Sequence, residues 1–165
     1  MISIHATARV SPLADIEDSV RGSRIVVGAH SVIDSFVKVK PAGGSGDLLL
    51  GEHVVINAGC VLYTGHGIRI GNHVALAAHC TLAPVNHAYA ERGRLIRAQG
   101  FAPSRGGIVI EDDVWIGAHC VLLDGAVLRQ GCVLGAGAIV HGELRAYTVY
   151  AAQSATALRV LGQRR

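Results

Sequence analysis

Asn86 and His87 stand at the head of the one long polar stretch in this chain. An imidazole there is the side chain best suited to chemistry near neutral pH. Histidine takes up and releases protons in that range, so it can serve as a general base toward a hydroxyl or an amine. On residue type alone, His87 reads more readily as a surface histidine on a loop rim. Its place sets it apart from the other histidines. The stretch that follows, 88–109, contains Gly93, Gly100, Pro103, Gly106 and Gly107. It exceeds the roughly 12–15 residues beyond which a loop in a compact domain is usually functional or unstructured. Arg92, Arg94, Arg97 and Arg105 lie within it. They read either as a solvated basic surface or as an attraction for a phosphorylated ligand.

Stepping outward from His87, nearly everything else keeps a six-residue beat. Aliphatic residues recur at Leu50, Ile56 and Leu62, at Ile70, Leu76 and Leu82, at Ile110, Ile116 and Leu122, and at Leu128, Leu134 and Val140. Four places after them come small or branched residues, among them Val54, Cys60, Val74, Cys80, Val114, Cys120, Ala126, Cys132 and Ala138. A hexapeptide period predicts an all-β chain wound as a parallel β-helix. Three hexads make one triangular coil, which places about six coils at 4–21, 27–44, 50–67, 70–87, 110–127 and 128–145, with insertions at 22–26, 45–49 and 68–69. At about 4.8 Å per coil the prism is roughly 29 Å long. Each coil buries its apolar side only by stacking on the next. One β-helix domain over 1–145 is expected, with 88–109 looped out. The tail 146–165 then caps an open end, with a short helix over 155–161.

Composition agrees. Of 165 residues, half are hydrophobic and 16% charged, with 21 glycines and few aromatics, which excludes a disordered chain. No apolar run reaches the roughly 18 residues of a membrane span. The N-terminus lacks the basic-then-apolar layout of a signal peptide, so the cytoplasm is the expected setting. The net charge of +3 is modest, and no basic stripe with interleaved aromatics supports nucleic-acid binding. Cys60, Cys80 and Cys120 share one place in successive coils and should stack inward as ordinary packing. No C-x-x-C pair suggests a zinc site.

The combination of Ile56-Asn57, Asn86-His87, the excursion, Val114-Trp115-Ile116-Gly117 and Gly135-Ala136-Gly137 resembles the hexapeptide-repeat acyltransferases. It is most like their maltose/galactoside and polysaccharide O-acetyltransferase branch. That resemblance implies a left-handed parallel β-helix, against the usual crossover hand, and a homotrimer with sites between subunits. It implies acetyl-CoA as co-substrate and a saccharide hydroxyl as acceptor. His87 then corresponds to the family's general base. Asn57 faces the acceptor, Trp115 walls the cleft, and Ala118, Ala136, His141 and Arg159 align with CoA contacts, the Ala118 N–H being a candidate oxyanion donor. The tail departs from the family pattern, because Thr156 stands where relatives carry a basic residue; Arg159 keeps the next basic position, and Arg164 and Arg165 follow.

Each of these residues also has a plainer reading: Asn57 a corner amide bonded to backbone, Trp115 interface packing, Ala136 repeat periodicity, Arg159 a surface charge. His53 with His73, and His79 with His119, should face outward in two columns, as solvated or interface groups. His66 is a candidate for lining the cleft, and Glu91 for orienting His87. Two other functions share the prism. One is a metalloenzyme of the γ-carbonic-anhydrase type, which needs three histidines meeting across subunits. The other is a non-catalytic binding module.

Overall fold

The computed structural model describes residues 1–153 and 157–163, with side chains through 152. Its strands are two or three residues long, apart from the last two, of six and seven, and fall into three sheets that form the walls of a triangular prism. The first wall runs Ile2–Ile4, Ile25–Val27, Leu48–Leu50, Ile68–Ile70, Ile108–Ile110, Val127–Leu128 and Glu143–Leu144. The second runs Arg9–Val10, Val32–Ile33, Val55–Ile56, Ala75–Leu76, Trp115–Ile116, Val133–Leu134 and Thr148–Gln153. The third runs Asp15–Ile16, Lys38–Lys40, Val61–Tyr63, Thr81–Ala83, Val121–Leu123 and Ile139–Val140. All of these pair in parallel, so the chain circles the prism and climbs one coil at a time.

The register follows the hexad rows. Val27, Leu50, Ile70, Ile110 and Leu128 align on the first wall. Ile33, Ile56, Leu76, Ile116 and Leu134 align on the second. Side chains alternate across a strand, so one residue per strand end points inward, and these rows are almost completely buried. Cys60, Cys80 and Cys120 also stack inside, each thiol donating to a carbonyl of the next coil, Ala77, Gly117 and Gly135, at 3.2 Å. Burial pushes the Cys132 thiol up to about 11.

The exposed histidines have a backbone cause. His30, His53 and His73, and likewise His79 and His119, sit at coil corners with φ between 55° and 61°. Among non-glycine residues, histidine is one of the few that enter this left-handed region with any frequency. Successive corners stack the rings, with centroids 4.9 Å apart along His30, His53 and His73 and 5.1 Å apart for His79 and His119. The imidazoles of His53, His73, His79 and His119 point outward as expected, and His30 joins the first column.

Three boundaries differ from the sequence reading. Residues assigned to insertions at 22–26, 45–49 and 68–69 include paired strand positions, Ile25, Leu48 and Ile68, so the extra length is taken up in the preceding corners. The excursion returns earlier than residue 109, because Ile108 already pairs with Ile68. The expected helix over 155–161 is not formed where the chain is described. Ala157–Gln163 is a strand, antiparallel to Thr148–Gln153. The last strand of the second wall leaves an open edge, and a reversed strand supplies the backbone partners that a helix would not.

Candidate active site

The excursion leaves the third wall after Ala83 and is held at both roots. On the outgoing side the turn at Gly65 and His66 packs against it, with the His66 N–H donating to Pro84 O at 3.0 Å. Gly65 has φ +43°, and a Cβ there would meet Pro84 O at 2.7 Å, so only glycine fits beneath this root. On the returning side Asp124, 2% exposed, accepts the Arg105 N–H at 2.7 Å and the Gly107 N–H at 2.9 Å.

Between the roots the excursion folds back on itself. The Ala102 N–H donates to Asn86 O at 2.7 Å and the Ala88 N–H to Gly100 O at 3.0 Å. A single turn of helix, Ile96–Gln99, ends at Gly100, whose φ is +80°. The Gln99 amide ties this turn to Glu91 O and Arg94 O at 3.0 and 2.8 Å. Gly100 therefore presents its carbonyl to two donors, Ala88 N–H and the His87 ring.

His87 is exposed, and its Nδ1 lies 3.2 Å from Gly100 O. A carbonyl can only accept, so Nδ1 carries the proton and Nε2 is left with its lone pair. Phe101 flanks the ring at 4.8 Å between centroids. The chain thus fixes both the tautomer and the plane of one solvent-facing imidazole. Glu91 does not orient it; the Glu91 carboxylate lies 3.8 Å from Arg94.

The other candidate residues are spread over the prism. Asn57 lies at the corner between the second and third walls, and its Nδ2 donates to Leu76 O at 2.6 Å. That bond ties the amide into the next coil. Trp115 projects from the second wall, half exposed, between Ala75 and Val133. Ala118 and Ala136 occupy the same corner as Asn57, two and three coils further on. Their N–H groups donate to no acceptor among the described residues. The glycines beside them serve stacking: a Cβ on Gly117 would meet Ala136 N at 2.5 Å. Arg159 lies opposite Ala151 in the terminal hairpin, at the far end of the second wall. His141 is exposed beyond the third wall, at the same edge from which the excursion departs. Within one chain, then, His87 and His141 share one edge while Asn57, Ala118 and Ala136 share another. Arg164 and Arg165 lie outside the described residues, as does Thr156.

Sequence reasoning missed Gly100, Phe101 and Asp124. Asp124 left a trace: it stands two places after Leu122, where alternation aims a side chain inward, and a carboxylate aimed inward needs donors.

A family model for the bacterial transferase hexapeptide (six repeats) matches residues 107–142. The chain is 28% identical over 148 residues to a probable acetyltransferase of Mycobacterium tuberculosis, covering 90% of this chain and 44% of that protein. Over residues 107–142 the chain matches the hexapeptide-repeat transferase family. A galactoside O-acetyltransferase of Escherichia coli is 26% identical over 119 residues, covering 70% of this chain and 55% of that one. This hexapeptide-repeat chain spans about half the length of the curated relatives it matches. Among solved structures it resembles AntD, an N-acyltransferase from Bacillus cereus in complex with dTDP and 3-hydroxybutyryl-CoA. The TM-score is 0.80 at 18% identity, over 99% of this chain and 83% of that one. The fold is accordingly the left-handed parallel β-helix. No helix among the described residues is long and apolar enough to cross a membrane.

Proposed function

We propose that this chain transfers an acetyl group from acetyl-CoA to a hydroxyl of a sugar or of a surface-polysaccharide precursor, with His87 as general base. The observation that carries the reading is the His87 ring itself, whose Nδ1–H is held by Gly100 O while Nε2 is left as an acceptor on an exposed face. Nε2 takes the proton of the acceptor hydroxyl, and the oxygen attacks the thioester carbonyl. The resulting oxyanion needs a donor that is already in place, and the unused N–H of Ala118 supplies one. Collapse breaks the C–S bond, and the imidazolium returns its proton to the CoA sulfur.

The free N–H groups of Ala118 and Ala136 support a CoA chain running along that edge, with Arg159 at its end as a charged donor for phosphate and His141 approaching from a neighbouring chain. Asn57 and Trp115 belong on the acceptor side, Asn57 through the part of its amide that Leu76 O does not use. Because the base and the amide row lie on different edges of one prism, the reading calls for a second copy to complete each site. A closed homotrimer satisfies this for all three sites at once. The exposed apolar side chains of the excursion, Tyr89, Leu95 and Ile96, favour such a neighbour. Four unpaired thiols and the use of CoA suit a cytoplasmic setting.

N-acylation is the second reading, favoured by the name of AntD, since the same base serves an amine. The test is a screen of neutral and amino sugars with acetyl-CoA, following thiol release. His87→Ala is expected to fold as the parent does and to lose roughly 10²–10⁴ in turnover. Near-parental turnover removes His87 from the reaction. Stoichiometric zinc in purified protein would instead favour the metalloenzyme.

A further inference from the structure

Beside the two roots of the excursion, the outer face of the first wall carries a cavity of about 270 Å³. Its floor is Leu49 and Val109, two outward side chains that flank Arg69 across the sheet. His66 closes one side and Gly106 the other. Two of its polar groups are left open to a ligand. His66 Nε2 is buried and has no hydrogen-bond partner, although buried polar groups are nearly always paired. The Arg69 side chain is exposed, and its guanidinium makes no ion pair or hydrogen bond among the described residues. The nearby Asp47 attracts Arg69 through space but does not bond to it, because Arg24 already takes both its carboxylate oxygens, with the Arg24 N–H on Oδ1 at 2.8 Å and Nη2 on Oδ2 at 2.6 Å.

Asp47 is thus neutralised by Arg24, and Arg69 leaves the cavity with a net positive charge. A guanidinium fork, with an unpartnered ring nitrogen lining the same cavity, suits the oxygens of a phosphate or carboxylate. The glycines at the rim leave room for such a group: a Cβ on Gly106 would meet nothing within 4 Å. The volume lies near the low end for ligand sites, about 300 Å³, which suits a monosaccharide-sized acid better than a whole nucleotide.

Position ties the cavity to the reaction. The His66 N–H holds Pro84 O, three residues before His87, and Gly106 adjoins the Asp124 anchor at the other root. We infer that this cavity is a subsite for the anionic group of the acceptor, a sugar phosphate or a sugar acid, with Arg69 and His66 as its specificity-determining residues. The assignment to the acceptor rests on the acetyl-transfer reading; the capture of an anion does not.

Calorimetric titration of the full chain with galactose 1-phosphate, galacturonate and galactose separates these points. One or both acids should bind at least tenfold more tightly than galactose, and which of them binds distinguishes phosphate from carboxylate. Arg69→Gln should abolish that preference, while its thermal midpoint and its CoA titration match the parent. His66→Phe should weaken the acids in the same direction. Equal binding of acids and neutral sugar, or a preference that survives Arg69→Gln, overturns the subsite. Acid binding that is lost in Arg69→Gln, in a protein whose parent neither binds CoA nor releases thiol, would keep the anion site and sink the acetyl-transfer reading instead.

Discussion

Removing the Asp124 carboxylate should release the excursion while leaving the prism standing. Asp124 accepts two backbone N–H groups from the returning root, Arg105 at 2.7 Å and Gly107 at 2.9 Å. Hydrogen bonds to a charged acceptor contribute about 1.5–3 kcal/mol each, and a buried donor left without a partner costs about 1–3 kcal/mol. Arg105 is exposed, so water can replace its bond, whereas Gly107 is buried. A net loss of about 2–4 kcal/mol for Asp124→Ala follows from these terms. At about 1.4 kcal/mol per decade, the undocked excursion becomes roughly 30–1,000-fold more populated. Trypsin reads that population directly, because Arg92, Arg94 and Arg97 lie between the roots and cleavage of a transiently open segment tracks its equilibrium occupancy when closing is fast. Cleavage there should rise by that factor while the far-ultraviolet circular dichroism midpoint falls by only a few degrees. Asp124→Asn, which keeps one acceptor oxygen, should fall between. Cleavage within threefold of the parent would refute the anchoring role. A rise in cleavage that merely follows a collapse of the whole thermal transition would show that Asp124 supports the coil and not the loop.

Two further outcomes concern the prism. Gly117→Ala should destabilise by about 1–3 kcal/mol or more, since the new Cβ meets the backbone of the next coil at 2.5 Å. Gly142→Ala, with nothing within 4 Å and an ordinary φ, should leave the thermal midpoint within a degree or two. Arg129 bridges Glu111 and Glu143, and its guanidinium holds both carboxyls below their ordinary value of 4.5. A carboxylate lowered by folding adds stability above its unfolded pKa and loses it as pH falls through the folded one. Urea midpoints of the parent should therefore fall more steeply below about pH 4.5 than those of Arg129→Met; parallel curves would show that the bridge adds nothing.

The wall positions could be read from the chain because burial there is periodic. Leu50, Ile70, Ile110 and Leu128 stack where the six-residue beat puts them, and the cysteine column follows from the same spacing. Corners were less visible. The outward direction of His53, His73, His79 and His119 follows from the beat, but their left-handed backbone does not, since it is imposed by the bend between walls. The site divides in the same way. His87 stands out in sequence because a long interruption begins beside it. Its partner Gly100 does not, because the contact is made by a carbonyl that every residue has, brought there by a one-turn helix too short to show a pattern. The terminal strand was misread as a helix because 155–161 carries good helix formers, Ala and Leu, while an unfilled sheet edge is a property of the stack and of no single segment.

That reversed strand also decides how the stack ends. A coil presents the same three-edged template on its upper side as the coil beneath it did, so nothing in the repeat says when to stop, and a second molecule could add where the first leaves off. Turning Ala157–Gln163 back along Thr148–Gln153 occupies one of those edges with a strand running the wrong way. An incoming coil needs all three edges in parallel register at once, so a single inverted strand is enough to make growth a closed question, and truncation before residue 157 should turn a discrete particle into one prone to end-to-end fibres.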